Sequence, residues 1–133
     1  MVTGIDKRLL DELTAKAKES PRLRMNLDLR TSPKDRSQRM LNAMEPGTVL
    51  PIHRHTTTTE VVVCLRGKLL EIFYNEDGQR GEVFELSPNG PTLALSIPVG
   101  QWHTVEVLES GTVILEAKDG AYEPLKEEDV MRG

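Results

Sequence analysis

The sequence has little of what disulfide-bonded, membrane-spanning or nucleic-acid-binding proteins depend on. Its single cysteine, Cys64, cannot form a disulfide within the chain, which agrees with a reducing compartment. No apolar run approaches the roughly 20 residues that cross a bilayer, and residues 1–19 lack the apolar core of a secretion signal. The net charge of −4 disfavours nucleic acid, whose phosphates need a basic protein face. We therefore expect a cytoplasmic protein that binds neither nucleic acid nor membrane.

Several catalytic signatures are also missing. The sequence contains no nucleophile elbow, no phosphate-binding loop and no dinucleotide-binding fingerprint. Any catalysis must therefore use a metal ion and the polar groups around it. Aromatic residues are scarce, with two Phe, two Tyr and one Trp, which favours a hydrophilic ligand over an aromatic one.

The residues that are present predict one helix followed by many short strands. Apolar residues at helical spacing predict an amphipathic helix over about 5–19, ended by Ser20-Pro21. The period then changes to two over residues 22–30, which predicts a strand with one apolar and one polar face. The apolar face consists of Leu23, Met25, Leu27 and Leu29.

Further strands are separated by turn signals such as Asp77-Gly78, a strong hairpin signal because glycine takes the positive φ that the turn needs. We expect them near 37–45, 48–55, 60–66, 68–75, 81–87, 92–97, 102–109 and 112–118. Many short strands at this spacing predict a mainly β protein, a sandwich or a barrel. We expect a single domain over residues 1–133, with the barrel over about 22–118 and a polar tail over 119–133 that lies on the surface.

All three histidines of the chain fall into one pattern that predicts a metal site. His53 and His55 form a His-x-His pair, which in a strand puts both rings on one face, about 6.6 Å apart along the backbone. Glu60 opens the next strand, and His103 arrives from a later one. Three imidazoles and a carboxylate suit one divalent ion per chain, namely Zn, Fe, Mn, Ni or Co.

These residues reproduce the two motifs of the cupin superfamily. The first motif, G-x5-H-x-H-x4-E-x6-G, is complete from Gly47 to Gly67, and Pro98 to His103 match the core of the second, P-x-G-x2-H. The second motif departs from the usual pattern at Thr92 and Val107, neither of which is a metal ligand. The resemblance implies a jelly-roll, RmlC-like barrel with a short N-terminal helix and a metal held by His53, His55, Glu60 and His103.

Over nearly its whole length the chain resembles the WbuC family of cupin-fold metalloproteins. The resemblance is carried by Ser20-Pro21-Arg22, residues 38–47, His53-Arg54-His55, residues 100–104 and Gly120-Ala121-Tyr122-Glu123-Pro124. That family occurs in bacterial gene clusters for lipopolysaccharide and O-antigen sugars. The resemblance implies a role with such sugars, while the reaction stays open.

Polar residues near the N-terminal side of the barrel are candidates for ligand binding. Arg24, Asn26 and Asp28 share one strand face, and an arginine there can grip a phosphate or carboxylate with two hydrogen bonds. Three polar residues of the next strand can also line the binding site: Gln38, Arg39 and Asn42. Gln38 and Asn42 lie on one face of that strand and Arg39 on the other, so not all three can point inward. Asp28 or a metal-bound hydroxide are candidate bases, since Glu60 is a ligand. The pattern leaves open whether Glu116 and Lys118 face the cavity.

Three functions fit this sequence. The first is a metal-dependent isomerase, epimerase or lyase acting on an anionic sugar or sugar-nucleotide intermediate. The second is an iron-dependent dioxygenase, and the third is a non-catalytic module that binds a sugar or small acid. The polar strand favours the first. Exposed sheet edges and family habit predict a homodimer.

Overall fold

The computed structural model describes residues 2–131, which form one helix and ten strands. The helix is α1 (Lys7–Glu19). The strands are β1 (Arg24–Asp28), β2 (Arg39–Met44), β3 (Ile52–His53), β4 (Glu60–Arg66), β5 (Leu69–Tyr74), β6 (Arg80–Leu86), β7 (Ala94–Ile97), β8 (Trp102–Val107), β9 (Thr112–Lys118) and β10 (Val130–Met131). A short 3-10 helix, Glu127–Asp129, precedes β10.

The strands form two antiparallel five-stranded sheets that pack face to face. The first sheet has the order β1-β2-β9-β4-β7 and the second the order β10-β3-β8-β5-β6. Side chains of both sheets meet in one apolar cluster between them, formed by Met44, Val62, Cys64, Leu69, Leu86, Ile97, Val107 and Ile114. The chain therefore has the mainly β, two-sheet barrel with an N-terminal helix that the sequence predicts.

Helix α1 covers the outer face of the first sheet. Asp6 caps it, because its carboxylate accepts a hydrogen bond from the Leu9 backbone N–H at 2.9 Å. Leu10, Leu13 and Ala17 form its buried face. They pack on the outward residues of β2 and β9, among them Leu41, Ala43 and Val113.

The predicted strand bounds hold best where the alternation is uninterrupted. Strands β4 and β9 have the predicted bounds, and the Asp77-Gly78 hairpin joins β5 to β6, with Gly78 at a φ of 85°. Of the run 48–55, only Ile52–His53 is a strand, because Pro51 has no N–H to donate to a neighbouring strand. Leu23 was wrongly placed in the apolar strand face, since its φ of 57° turns the chain before β1 begins.

The C-terminal segment is exposed over residues 121–128 but ends in a strand that the sequence does not indicate. Val130 pairs with His53 and Met131 with Ile52, so β10 is the edge strand of the second sheet. Asp129 just before it is buried. A two-residue strand is too short to show an alternating pattern, so the sequence does not indicate it. Residues 132 and 133 of the predicted tail lie outside the described part of the chain. Within residues 2–131, no helix is long and apolar enough to cross a membrane.

Candidate metal centre

The three histidines meet on the inner face of the second sheet. His53 of β3 lies directly opposite His103 of β8 in the register, and His55 follows two residues after His53. One ring nitrogen from each of the three lies within 4.8 Å of the others. Two nitrogens bound to one ion at about 2.1 Å are at most about 4.2 Å apart. The rings are thus gathered at nearly the spacing that a shared ion requires.

Hydrogen bonds orient two of these rings so that the same nitrogen of each is left for a ligand. His53 Nδ1 lies 3.0 Å from the Pro51 carbonyl oxygen, and His103 Nδ1 lies 2.7 Å from Glu71 Oε1. His103 Nε2 is buried and has no hydrogen-bond partner among residues 2–131. A buried nitrogen left unpaired costs roughly 1–3 kcal/mol. A metal ion at this point would remove that cost, so the residues present fit the predicted cofactor.

Glu60 lies beside the histidines but is shared with a cation. Its carboxylate oxygens are 3.8 Å from His55 Nε2 and 3.9 Å from His103 Nε2. Lys118 pairs with Glu60 across β4 and β9 and places its Nζ 3.5 Å from Glu60 Oε2. The role of Glu60 as the fourth ligand stays a prediction. The residues whose ligand atoms lie closest together are the three histidines.

Burial sets the protonation states of the centre. It lowers the pKa of His53 and His103 to about 4 and that of His55 to about 3. Burial, together with the nearby Glu116 carboxylate, raises the pKa of Glu60 to about 8. The imidazoles are therefore neutral at pH 7, the form in which histidine binds a metal.

Glu71 is a residue of this centre that the sequence analysis missed. It is almost completely buried, and burial raises its pKa well above the usual value. In the tautomer that frees His103 Nε2, the Nδ1–H donates to Glu71 Oε1, an arrangement that fixes the orientation of a metal-binding histidine. The sequence does contain a sign of its role: Glu71 shares a strand face with Leu69 and Phe73, so a charged residue interrupts an otherwise apolar inward face of β5.

A cavity of about 320 Å³ opens in front of the histidines. Of the predicted ligand-binding residues, Arg24, Asn26 and Asn42 line it. Glu116 and Lys118, whose direction the sequence left open, line it as well. The Asn42 side-chain N–H donates to Glu116 Oε1 at 3.0 Å, which holds this carboxylate inside the cavity.

The structure does not bring the other predicted residues into this cavity. Asp28 lies at the end of β1, where both its oxygens accept from Arg30, and these hydrogen bonds lower its pKa. Its predicted role as base at the metal is therefore not supported by the geometry. Arg39 points the other way and pairs with Asp35 at 3.1 Å, because its parity in β2 is opposite to that of Asn42. Gln38 lines a neighbouring cavity instead.

Comparison with known proteins agrees with this architecture. The sequence model of a family described as "Domain of unknown function (DUF6016)" matches residues 5–86, which is more than half of the chain. No curated protein matches the chain at a significant level. Among solved structures, the capsular polysaccharide assembling protein CapF from Staphylococcus aureus is 26% identical over 74% of this chain, with a TM-score of 0.59. The chain covers only 27% of the length of CapF.

Two other solved structures show the same fold at lower identity. KdgF from Halomonas sp. is 17% identical with a TM-score of 0.61, and the alignment covers 78% of this chain and 84% of KdgF. Oxalate decarboxylase from Bacillus subtilis, which has Mn(II) centres, is 17% identical with a TM-score of 0.59. That alignment covers 82% of this chain and 27% of the decarboxylase. These relatives are cupin proteins, and the chain has a cupin fold.

Proposed function

The chain belongs to the DUF6016 family, and from that starting point we propose that it is a metal-dependent cupin acting on a small, polar, anionic sugar. The observation that carries the proposal is the buried Nε2 of His103, which has no hydrogen-bond partner in the described part of the chain and lies with His53 and His55 at the wall of a cavity. The opposite wall carries arginine and asparagine side chains. A metal on one side and hydrogen-bond donors on the other suit a ligand with several oxygens.

The arginine side of the cavity supports the anionic part of the proposal. Arg24 is held in place because its Nη1–H donates to Val49 O at 3.0 Å and to Thr48 Oγ1 at 3.3 Å. Arg22 also lines the cavity, and both burial and this neighbouring charge lower the pKa of Arg24. Two guanidinium groups at one mouth attract a carboxylate or phosphate, and a pre-oriented arginine can bind it with two hydrogen bonds.

The sugar part of the proposal is supported by polar groups and by similarity. Asn26 and Asn42 offer side-chain amides to hydroxyl groups at the same cavity. CapF is described as a capsular polysaccharide assembling protein, and the WbuC resemblance connects the chain with lipopolysaccharide sugars. Both support a substrate from bacterial surface polysaccharides.

The chain's own residues can supply proton handling beside the ligand. A divalent metal, when bound by His53, His55 and His103, supplies Lewis acidity toward substrate oxygens. Glu116 lies in the cavity with one oxygen held by Asn42, and its other oxygen can accept or return a proton. We assign to Glu116 the role of base for which the sequence suggested Asp28. An isomerase, epimerase or lyase reaction needs these parts.

Replacing His103 by Ala tests the metal centre. We expect the metal content of purified protein, measured by elemental analysis, to fall at least about tenfold. Changing a residue that only hydrogen-bonds to a metal ligand already lowers metal affinity about 10–100-fold, and removing the ligand itself should lower it more. Circular dichroism should show that the variant stays folded. Unchanged metal content would contradict the proposed centre, and tightly held iron together with oxygen consumption would favour the dioxygenase.

Replacing Arg24 by Ala tests the ligand. Calorimetry with the metal-loaded protein and glucuronate should show binding by the parent and a loss of about tenfold or more in the variant, since one charge-assisted contact contributes roughly 1.5–3 kcal/mol. Arg36→Ala is the matched control, because Arg36 is exposed and does not line the cavity. Equal losses in the two variants would show a general charge effect rather than a site.

A further inference from the structure

A second cavity of about 430 Å³ adjoins the one at the histidines. Five residues line both cavities and form their shared wall: Asn26, Met40, His55, Lys118 and Leu125. We call the cavity at the histidines the inner cavity and the second one the outer cavity. The two cavities are therefore neighbours, separated only by these five side chains.

The outer cavity contains an aromatic ring with one face supported by a cation. The Arg30 guanidinium carbon lies 5.7 Å from the centre of the Tyr122 ring, within the range of a cation–π contact. Arg30 is itself fixed by Asp28, with Nη2 2.7 Å from Asp28 Oδ2. Half of the Tyr122 surface remains exposed. The ring thus offers a flat apolar surface to a ligand.

Hydrogen-bonding groups stand around this ring. Asp28 and Glu123 supply carboxylates, and Gln38 supplies an amide. The two cations that line the outer cavity are already paired, Arg30 with Asp28 and Lys118 with Glu60. The outer cavity therefore has no excess of positive charge for an anion, unlike the arginine mouth of the inner cavity. Carboxylates and amides beside an aromatic face bind neutral sugars, because the hydroxyl groups donate to the oxygens while the C–H face packs on the ring.

The segment that carries Tyr122 is anchored at both ends. At its start, the Thr59 backbone N–H donates to Asp119 Oδ1 at 2.9 Å. At its end, the Arg54 backbone N–H donates to Asp129 O at 3.0 Å, and Arg54 Nε lies 3.1 Å from Asp129 Oδ1. These contacts tie both ends of residues 120–128 to the barrel, and Tyr122 and Glu123 between them line the outer cavity.

We propose that the outer cavity is a subsite for a neutral sugar ring, so that the ligand is a glycoside with an acidic sugar in the inner cavity and a neutral sugar on Tyr122. This inference rests on the proposed function and specifies its ligand. Asp28 and Gln38, which the sequence predicted as ligand-binding residues and the inner cavity does not contain, are assigned to this subsite.

The experiment compares ligands that differ only in what is attached to glucuronate. The metal-loaded protein is titrated calorimetrically with glucuronate, with a glucuronosyl-xylose disaccharide and with UDP-glucuronate. We expect the disaccharide to bind at least about tenfold more tightly than glucuronate, the gain that about 1.4 kcal/mol of packing and hydrogen bonding gives. Tyr122→Ala should remove this gain and leave the affinity for glucuronate unchanged, whereas Tyr122→Phe should keep it.

A second measurement separates the subsite from the proposed function. Saturation-transfer NMR with neutral methyl glucoside should show binding to the parent and to Arg24→Ala, and no binding to Tyr122→Ala. If glucuronate does not bind while methyl glucoside does, the proposed function fails and the subsite stands. Absence of methyl glucoside binding to the parent overturns the subsite, and so does a gain in affinity with UDP-glucuronate alone, which would assign the outer cavity to a nucleobase.

Discussion

The two faces of the first sheet bury their side chains in opposite ways, although the same strands supply both. On the helix side, Leu41, Ala43 and Val113 are completely buried in an apolar cluster with the helix. On the inner side, Asn42, which lies between Leu41 and Ala43 in β2, and Glu116 of β9 carry polar groups into a cavity. Alternation along a strand places these two environments one residue apart. The helix layer can therefore supply packing free energy while the inner face carries chemistry.

The inner side bears costs that the helix side does not. Glu71 and His103 are almost fully buried, and a buried ionisable group destabilises a protein unless it is paired or neutral. Glu71 and His103 are in contact with each other, at 2.7 Å between Glu71 Oε1 and His103 Nδ1. Two apolar residues at these positions would avoid the cost of burying ionisable groups. We infer that the helix layer contributes to stability only, whereas the inner layer combines an apolar cluster with the polar residues that determine function. Three predictions test this division.

The largest effect is expected from Leu41→Ala in the helix layer. Removing a fully buried leucine side chain costs about 2–5 kcal/mol of unfolding free energy, measured by chemical denaturation. The metal content of the folded variant should equal that of the parent, because the leucine points away from the histidines. A large loss of metal together with modest destabilisation would show that the layers are not separate.

A smaller effect of the opposite kind is expected from Glu71→Gln in the inner layer. The affinity for the metal should fall about 10–100-fold, as is usual when the partner of a metal-binding histidine is changed. The unfolding free energy of the metal-free protein should not fall, since glutamine removes a buried ionisable group. Glu85→Gln is the matched control, because Glu85 is an exposed residue of β6. Similar metal affinities in the two variants would exclude an orienting role for Glu71.

The smallest effect is expected from pH, because contributions of opposite sign overlap. The lowered pKa of the three histidines makes the metal-free protein lose stability as pH falls from 6.5 toward about 4. The pKa of Glu60, raised from 4.5 to about 8, makes it lose stability as pH rises through that interval. Between pH 6.5 and 8 only the buried acids Glu60 and Glu71 act, and the raised pKa of both gives the same sign, so the melting temperature of the metal-free protein should decrease there.

The stabilisation by added metal should accordingly increase from pH 6.5 to 8, as Glu60 loses its proton. Glu60→Gln should reduce the decrease in melting temperature of the metal-free protein over this interval, and the part that remains is assigned to Glu71. A melting temperature that rises from pH 6.5 to 8 in the metal-free parent would contradict the assignment to Glu60.

Local patterns in the sequence predicted much of the fold and part of the site. Strand alternation, the Asp77-Gly78 turn and the His-x-His pair each depend on residues close in the chain, and the structure agrees with them. Contacts between distant strands were not accessible in this way. The approach of Glu71 to His103 requires the alignment of β5 with β8, and that of Lys118 to Glu60 requires the alignment of β4 with β9.

The assignment of the polar strand residues shows the same limit. Arg24, Asn26 and Asp28 share a face, as alternation predicts, but β1 runs past the edge of the inner cavity. The first two residues therefore line that cavity, while Asp28 lies beyond it with Arg30. Alternation along a strand predicts the face to which a side chain points. It does not predict how far along the strand a cavity extends.

The single tryptophan of the chain precedes His103 in β8. Trp102 is almost fully buried, and the Arg54 guanidinium carbon lies 4.6 Å from the centre of its ring. All indole fluorescence of the protein thus originates one residue from the proposed centre. Paramagnetic ions such as Mn²⁺ or Fe²⁺ quench a nearby fluorophore, whereas Zn²⁺, with its filled d shell, does not. The protein therefore contains its own spectroscopic reporter of whether the bound ion is paramagnetic.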